Sequence, residues 1–527
     1  MNAEMHPTRW GDPARAAALP ETARGLVELV FPVSDRTVAA DADVSLPPSV
    51  LGDRVLADLV EVVGPDHVLT DDRSRRLRTR GKSTPDLLRA RAGDLSDAPD
   101  AVVRPGEHDQ VQRLLEVAAR HRVAVVPFGG GTSVVGGLVA RRDGYAGVVS
   151  LDLSRMTRLL AVDPVSMTAT LEPGLRGPEA EGLLAEHGLT IGHYPQSFEF
   201  ATIGGFAAAR SSGQSSAGYG RFDALVVGLR VATPAGPVEL GHAPASAAGP
   251  DLREVFLGSE GAFGVITSVT VRVRPHPERT LYEGWRWASF DAGAAAMRTL
   301  AQAQLLPTVL RLSDENETAL NLADSDSIGG TSAGGCLMIT GYEGTPSAVA
   351  ARRAAVAAVL SDLGGEPAGE EPGRRWAAGR FDAPYLRDSM LDAGVLVETL
   401  ETAAYWSRLR ATYDAVTSAL LESLGEPALV LCHVSHVYET GASLYFTVAA
   451  AEGEDGLGRW ARAKHAAMQA IVDSGATITH HHAVGTDHLP WLESEIGRVG
   501  IDVLRAIKAA VDPDAILNPG VLVPPAV

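Results

Sequence analysis

Two hydrophobic patterns alternate along the chain between about residues 55 and 274. Apolar residues recur every three or four positions over 109–122, which predicts an amphipathic helix with Val111, Leu114, Leu115 and Ala118 on its buried side. The four apolar residues that follow, 123–126, predict a buried strand. A second helix is predicted at 178–187, and further strands are predicted at 147–153, 167–172, 225–233, 237–240 and 266–274. This part of the chain therefore alternates strands with helices.

The pattern changes after Pro275 and Pro277, which end the last of these strands. Strands are then predicted at 336–342, 428–437 and 443–450, with alanine-rich helices at 347–363, 406–424 and about 491–511. A chain of 527 residues is also too long for one hydrophobic core. We therefore predict an α+β protein with an N-terminal arm at 1–54, a first domain at 55–279, an α+β cap with an antiparallel sheet at 280–470, and a C-terminal segment at 471–527 that completes the active site.

Composition restricts the kinds of partner. The net charge is −19 and the acidic residues are spread along the chain, which disfavours the basic surface that nucleic acid or an anionic membrane requires. No apolar run approaches the length of a membrane span, and the N-terminus lacks the apolar segment of a signal peptide. We expect a cytoplasmic protein that acts on a small molecule. Cys336 and Cys432 lie in apolar runs and are predicted to be buried thiols.

A glycine-rich loop at 126–137 follows the predicted strand. Gly129, Gly130 and Gly131 allow backbone N–H groups to converge on an anion, and Thr132 and Ser133 add hydroxyl donors. The loop lacks the Gly-Lys-Ser/Thr ending of a P-loop and the third glycine of the dinucleotide fingerprint. It predicts a phosphate-binding loop of another type, and a simple turn between strands is the alternative.

Three more segments favour binding over simple turns. They are 195–205, with its Gly204-Gly205 pair, 209–214, and 258–266. Each alone is explained by a turn, but together with the glycine loop they predict a surface that wraps a diphosphate or the polar edge of a ring.

These motifs resemble the FAD domain of the vanillyl-alcohol oxidase/p-cresol methylhydroxylase superfamily. The resemblance implies a two-subdomain FAD-binding domain beneath the cap and FAD held without a covalent bond. The cofactor-binding residues that it implies are Pro127, Phe128, Gly129, Gly130, Gly131, Thr132, Ser133, His193, Gln196, Ser197, Phe198, Glu199, Phe200, Ala201, Thr202, Gly204, Gly205, Ala209, Arg210, Ser211, Ser212, Glu260, Gly261, Ala262, Phe263, Gly264, Val265 and Ile266.

Later segments resemble the alkyldihydroxyacetonephosphate synthase family, and the likeness covers about residues 55–523. They lie at 310–314, 385–388, 400–408, 432–446 and 479–485. The resemblance implies that the acyl group of acyl-dihydroxyacetone phosphate is exchanged for a fatty alcohol, forming an ether lipid without net redox change. It implies catalytic roles for Arg311, Tyr445, His480, His481 and His482, and a substrate-binding role for Arg387.

The local sequence around Tyr445 and Arg387 bears on the roles that the resemblance implies for them. Tyr445 alternates with Leu444 and Phe446, so it faces the other side of its strand. A phenol with a pKa near 10 needs help to act as a base, and we expect nearby cations to lower that pKa. Arg387 is suited to clamp an anion with its planar fork, and a salt bridge with its neighbour Asp388 is the alternative.

The histidine tract raises a geometric question. On an extended segment His480 and His482 face one way and His481 the other, so all three reach one small site only if the segment bends. Carboxylates or thiols with zinc-like spacing are lacking, which favours phosphate binding or tuning of Tyr445 over a metal site, and no metal is predicted.

Two departures from the family pattern keep other functions open. Ala483 stands where the family tract has glycine, a change that we expect to cost little, and 516–520 resembles the C-terminal signature of flavin-linked 2-hydroxyacid dehydrogenases. An FAD-linked oxidoreductase of a 2-hydroxy acid or an alcohol is therefore the alternative, with the same arginines binding a carboxylate. A third hypothesis is a flavoprotein that has lost catalysis and is kept for binding, and the intact Arg387, Tyr445 and histidine tract argue against it. A homodimer is an open expectation.

Overall fold

The computed structural model describes residues 4–19, 21–40, 44–320 and 334–524. In its first half the strands are β1 (Val68–Leu69), β2 (Ala101–Val103), β3 (Val123–Phe128), β4 (Gly147–Asp152), β5 (Leu159–Asp163), β6 (Thr168–Leu171), β7 (Leu189–Thr190), β8 (Val226–Thr233), β9 (Gly236–Leu240), β10 (Val265–Arg272) and β11 (Arg274–Pro275). The helices of this half are α1 (Glu21–Val30), α2 (Asp53–Val63), α3 (Asp72–Leu77), α4 (Thr84–Arg91), α5 (His108–His121), α6 (Gly177–Ala185), α7 (Ile203–Ala208), α8 (Ser216–Tyr219), α9 (Phe222–Leu225) and α10 (Arg253–Phe256).

The glycine loop follows a small buried sheet. Its strands run in the order β1-β2-β4-β3, and β4 pairs in parallel with both β2 and β3. Parallel strands are covered on both faces, which explains the continuous apolar run in β3 and the burial of every residue of β4. The predicted helix before the loop is confirmed as α5, which buries Val111, Leu114 and Leu115 against this sheet.

A second sheet completes the first half. Its order is β5-β6-β10-β8-β9 and all its pairs are antiparallel. The predicted hairpin is confirmed, since Thr233 of β8 pairs with Gly236 of β9. The two sheets are the two subdomains expected of the FAD-binding half.

The second half contains β12 (Arg279–Trp287), β13 (Val309–Ser313), β14 (Cys336–Gly344), β15 (Glu366–Gly369), β16 (Val395–Tyr405), β17 (Ala428–Val434) and β18 (Gly441–Ala451). Its helices are α11 (Phe290–Gln302), α12 (Glu315–Leu320), α13 (Pro346–Asp362), α14 (Glu371–Gly379), α15 (Ala383–Asp392), α16 (Leu409–Leu424), α17 (Gly456–Asp473) and α18 (Leu492–Val511). The strands form one antiparallel sheet in the order β15-β12-β14-β13-β17-β18-β16, as the sequence predicts for the cap.

The two faces of this sheet differ. Leu444, Phe446 and Val448 of β18 are fully buried in the core that also contains α16 and α17 residues. Tyr445 and Thr447 alternate with them and line a cavity on the other face. Both predicted cysteines are confirmed as buried free thiols in this half.

The N-terminal arm packs across both halves. Residues near its start are held by polar contacts, among them the Glu4–Arg78 and Arg9–Asp392 ion pairs and the Trp10 N–H, which donates to Asp388. Residues near its end are held too, since Ser34 N–H donates to the carbonyl of Ala393. Among the described residues, no helix is both long and apolar enough to cross a membrane.

Candidate active site

A cavity of about 470 Å³ lies between the two halves of the chain. Its walls come from the glycine loop, from the segments around 195–212 and 260–266, from α15, and from β16, β17 and β18. The fold therefore brings the glycine-rich segments of the first half together with the cap strands of the second half around one cavity.

The glycine loop is packed directly against the 195–205 segment. A Cβ atom on Gly130 would lie 2.0 Å from the carbonyl oxygen of Phe200, and one on Gly129 would lie 2.4 Å from Thr202 Oγ1. Neither position has room for a side chain, since Gly130 faces the backbone of Phe200 and Gly129 faces the Thr202 side chain. Thr202 also caps α7, because its hydroxyl accepts the Gly205 N–H at 3.2 Å. The result is a cradle of backbone donors at a helix N-terminus.

Twenty-one of the predicted cofactor residues line this cavity. They are Pro127, Phe128, Gly129, Gly130, Gly131, Thr132, Ser133, Gln196, Ser197, Ala201, Thr202, Gly204, Gly205, Ala209, Ser211, Ser212, Glu260, Gly261, Gly264, Val265 and Ile266. Gln196 Nε2 and Ser212 Oγ are buried without a hydrogen-bond partner in the structure. The cradle and these free polar atoms fit a ligand with a diphosphate and a polar ring edge, as FAD has.

The other predicted cofactor residues do not line the cavity. His193 is buried, bonds Ser211 Oγ at 3.0 Å through Nε2 and packs against Phe206 and Phe222. The remaining ones are occupied elsewhere: Phe198 stacks on Phe381, Glu199 pairs with Arg15, Phe200 packs on Trp10, Arg210 pairs with Asp223 and Glu254, and Ala262 and Phe263 lie in the core. They belong to the same continuous motifs as the lining residues, but their side chains contact other parts of the protein.

Tyr445 stands in a row of polar residues across the cap sheet. In the antiparallel register it lies opposite His433 of β17 and opposite Glu401 of β16. Its ring stacks on His433 with centroids 4.8 Å apart and on His481 with centroids 5.9 Å apart. Burial raises the pKa of Tyr445 to about 12, and Arg387 opposes this only in part. The expectation that cations lower this pKa was wrong, because loss of solvent outweighs them.

The histidine tract bends, which corrects the extended geometry considered above. The Glu401 carboxylate accepts the backbone N–H groups of His480, His481 and His482 at 2.7, 3.1 and 2.9 Å. His481 and His482 both line the cavity, whereas His480 turns toward Tyr438 and His436. One carboxylate therefore gathers three consecutive residues.

Burial determines the charge of the tract. It lowers the pKa of His481, which Glu401 offsets in part, and it lowers the pKa of His482 to about 3. Burial opposes ionisation of Glu401, but the nearby imidazoles keep its pKa well below the usual range. In the structure the carboxylate is therefore ionised and the imidazoles are neutral near pH 7.

Ala483, just after the tract, adopts a φ of +71°. This left-handed region favours glycine, so the substitution carries a backbone cost that the sequence analysis judged to be small. The next two residues are fixed to the first half of the chain, because Val484 and Gly485 donate their N–H groups to Glu260 at 3.1 and 2.8 Å.

The two arginines differ in their partners. Arg311 pairs with Glu317 of α12 and lies 3.0 Å from His433 Nδ1. Arg387 donates to the Lys82 carbonyl at 2.7 Å and to Asp388 at 3.3 Å, so the salt bridge named as its alternative is present. Both arginines line the cavity.

Three histidines also meet near the site. Ring nitrogens of His436, His480 and His481 come within 4.8 Å of one another. The Nδ1 atoms of His480 and His481 lie 2.9 Å apart, so one ring donates to the other and both are engaged without an ion. The prediction of no metal stays a prediction.

The sequence analysis missed Glu401, His433 and Glu317. Glu401 could have been found from the sequence, because it is a carboxylate in the apolar run 400–404 and a charge on a buried strand needs partners. Trp10 and Phe31, on the arm, also line the cavity, and their sequence context gave no such signal.

Comparison with known proteins identifies the two halves. Residues 99–240 match the family of FAD binding domains, and residues 276–522 match the C-terminal domain of FAD linked oxidases. An alkyldihydroxyacetonephosphate synthase from Trypanosoma brucei brucei is 34% identical over 91% of this chain and 82% of its own length. One from Dictyostelium discoideum is 34% identical over 87% of this chain and 79% of its own length.

Solved structures and more distant relatives agree with this placement. An alkyldihydroxyacetonephosphate synthase structure superposes with a TM-score of 0.85 at 29% identity, covering 98% of both chains. p-Cresol methylhydroxylase shares the fold, with a TM-score of 0.69 at 16% identity over 89% of this chain and 96% of its own. A glycolate oxidase subunit from Bacillus subtilis is 27% identical over 88% of this chain and 96% of its own length. The fold class predicted from sequence and the FAD cofactor are thereby confirmed.

Proposed function

Because the chain belongs to the alkyldihydroxyacetonephosphate synthase family, we propose that it exchanges the acyl group of an acyl-dihydroxyacetone phosphate for a fatty alcohol. The products are an alkyl ether of dihydroxyacetone phosphate and a free fatty acid, so atoms balance without an electron acceptor. The observation that best supports this proposal is that cationic and apolar side chains line the same cavity. Arg311 and Arg387 line it together with Leu26, Met390 and Leu429.

This lining suits an amphipathic phosphate ester. Guanidinium groups form strong charge-assisted bonds with a phosphate, and apolar side chains accept an aliphatic chain. Helix α1 contributes several of the apolar residues, and β16, β17 and β18 contribute others. We propose that the chain of the substrate lies against these surfaces.

The cofactor completes the site. Bound FAD would supply a nucleophilic ring nitrogen beside the reacting carbon. The glycine loop and Thr202–Gly205 would hold its diphosphate through backbone donors, without a covalent bond. A cytoplasmic location and a homodimeric state are further predictions.

Proton transfer is the task of the residues around Tyr445. With a pKa of about 12 its phenol holds its proton at neutral pH, and Arg387 favours brief loss of that proton. The neutral imidazoles of His481 and His482 are the available acceptors in the cavity wall. We propose that Tyr445 and these imidazoles together remove and return the proton at C1 of the substrate.

An FAD-linked oxidoreductase is the second candidate. It is favoured by the match of residues 276–522 to FAD linked oxidases and by the relationship to a glycolate oxidase subunit. In that case Arg311 and Arg387 would bind a carboxylate, and the same proton acceptors would serve a hydroxyl group.

One anaerobic experiment separates the two candidates. The FAD-loaded protein is mixed with palmitoyl-dihydroxyacetone phosphate and hexadecanol, and separately with glycolate and D-lactate. We expect release of palmitate, formation of the hexadecyl ether and no lasting bleaching of the flavin. Lasting bleaching by a 2-hydroxy acid, with no ether formed, would overturn the transferase proposal.

A further inference from the structure

The carboxylate of Glu401 is a fixed negative charge beneath the histidine tract. Its side chain is fully buried, and it accepts the Thr479 hydroxyl as well as the three N–H groups of the tract. Four donors satisfy a buried carboxylate and leave it no freedom to turn. Its position in the sheet, opposite Tyr445, places this charge next to the proton-transfer residues.

Two imidazole nitrogens also lie within ion-pair distance of this carboxylate. His481 Nδ1 lies 3.6 Å from Glu401 Oε2, and His482 Nδ1 lies 4.0 Å from Oε1. Nδ1 and Nε2 lie apart on an imidazole ring, so a ring that directs Nδ1 toward the carboxylate directs Nε2 away from it. Since His481 lines the cavity, its Nε2 is the nitrogen that is free to meet a substrate.

The proton between His480 and His481 then has a preferred place. Their Nδ1 atoms are 2.9 Å apart, so one of them carries a hydrogen and the other offers a lone pair. A lone pair on His481 Nδ1 would face the negative carboxylate, whereas an N–H there is attracted to it. His480 can accept this bond in its Nε2–H tautomer, because its Nε2 lies beside the Tyr438 hydroxyl, whose oxygen can accept that hydrogen.

We infer that Glu401 is a positioning residue that fixes His481 in its Nδ1–H tautomer, so that the Nε2 lone pair faces the cavity as the proton acceptor. The inference rests on the proposed function for its chemical role. A C–H bond of the substrate breaks, its electron pair stays on the substrate, and the proton is held at His481 Nε2, directly or after passing through the Tyr445 hydroxyl. The resulting imidazolium lies beside the Glu401 carboxylate, which stabilises it.

The tautomer is measured by long-range ¹H–¹⁵N NMR on the FAD-loaded protein labelled with ¹⁵N-histidine. The His481 signals are identified by their loss in His481→Gln. We expect a protonated Nδ1 and a bare Nε2 in the wild type. A protonated Nε2 with a bare Nδ1 would overturn the inference.

Substitutions test the part played by Glu401. Glu401→Gln keeps the shape but loses the charge, so we expect His481 to leave the Nδ1–H state and kcat/KM to fall by about 10- to 100-fold with FAD content unchanged. Glu401→Asp keeps the charge and should restore part of both. Unchanged His481 signals in a folded Glu401→Gln protein would contradict the inference.

Glu495→Gln is the matched control. The Glu495 carboxylate accepts the Ile478 N–H at 3.1 Å and the Thr477 hydroxyl at 2.8 Å, so it anchors the same segment without approaching an imidazole. We expect wild-type signals and activity from it. The wild-type spectrum decides the tautomer even if Glu401→Gln fails to fold. If the protein forms no ether but His481 is in the Nδ1–H state, the proposed function fails and the role of Glu401 in setting the tautomer stands.

Discussion

Replacement of Gly130 by alanine tests the cofactor cradle at its tightest point. The added Cβ would lie 2.0 Å from the Phe200 carbonyl oxygen and 2.8 Å from its carbon, both backbone atoms. An ordinary contact begins near 3.4 Å, so one of the two segments has to move by more than an ångström. Overpacking of this kind costs about 1–3 kcal/mol. If the cost falls on the FAD-bound form, affinity for FAD drops by about 5- to 150-fold.

Two measurements show how much of this cost falls on FAD binding and how much falls on the stability of the fold. FAD affinity comes from titrating the apoprotein while following flavin fluorescence, and stability comes from thermal unfolding with and without FAD. Gly182→Ala in α6 is the control, because a Cβ there meets nothing within 4 Å and alanine favours a helix by about 1 kcal/mol. Gly130→Ala protein with wild-type FAD affinity and wild-type stability would refute the close packing of the two segments.

Four further substitutions address the site and its surroundings. Tyr445→Phe removes only a hydroxyl, so we expect kcat to fall by about 100-fold or more with an unchanged flavin spectrum, and full activity would exclude the phenol from proton transfer. Arg387→Lys loses the planar fork, so kcat/KM should fall by at least about 10-fold while FAD stays bound, and near-normal kinetics would place the anion clamp elsewhere. Ala483→Gly should raise the free energy of unfolding by about 0.5–1 kcal/mol in urea titrations by relieving the left-handed φ, and a loss of stability would count against that strain. Burial opposes ionisation of Glu317, but His433 and Arg311 lower its pKa from 4.5 to about 2, so its stabilisation is complete above pH 4.5 and is lost as the pH falls toward 2. Glu317→Gln should therefore cost about 3 kcal/mol near neutral pH and less in acid, and an equal cost at both would contradict this pKa.

The local pattern of apolar residues and glycines was sufficient to predict much of the FAD-binding half. Helix α5, strand β3 and the glycine loop form a continuous stretch, and each is encoded by residues within it. Predicted ends differed by a few residues where a tertiary contact intervenes. The strand predicted at 428–437 ends at Val434, for instance, because Ser435 and His436 instead bond Ser443.

The bend of the histidine tract could not be predicted in the same way. Its cause is Glu401, which lies 79 residues before His480 and comes close because Thr477, just before the tract, is hydrogen-bonded to Thr402 and Ala403 of β16. The rise in the pKa of Tyr445 has a similar origin, since it depends on burial by distant elements. Pattern within a segment predicts which face a side chain occupies, but the partner across the sheet depends on the complete strand order.

The way the arm and the C-terminal segment meet at the cavity has a consequence for the order of synthesis. Trp10 belongs to one wall and His482 to another, and β3, which leads into the glycine loop, is bridged by Leu517. Asn518 donates to the carbonyls of Gly137 and Glu260 and so ties two of the cofactor segments together. A chain growing on the ribosome lacks these ties until residue 518 has left the exit tunnel. Completion of the cofactor site therefore waits for residue 518, and a nascent chain that stalls earlier carries an unfinished site.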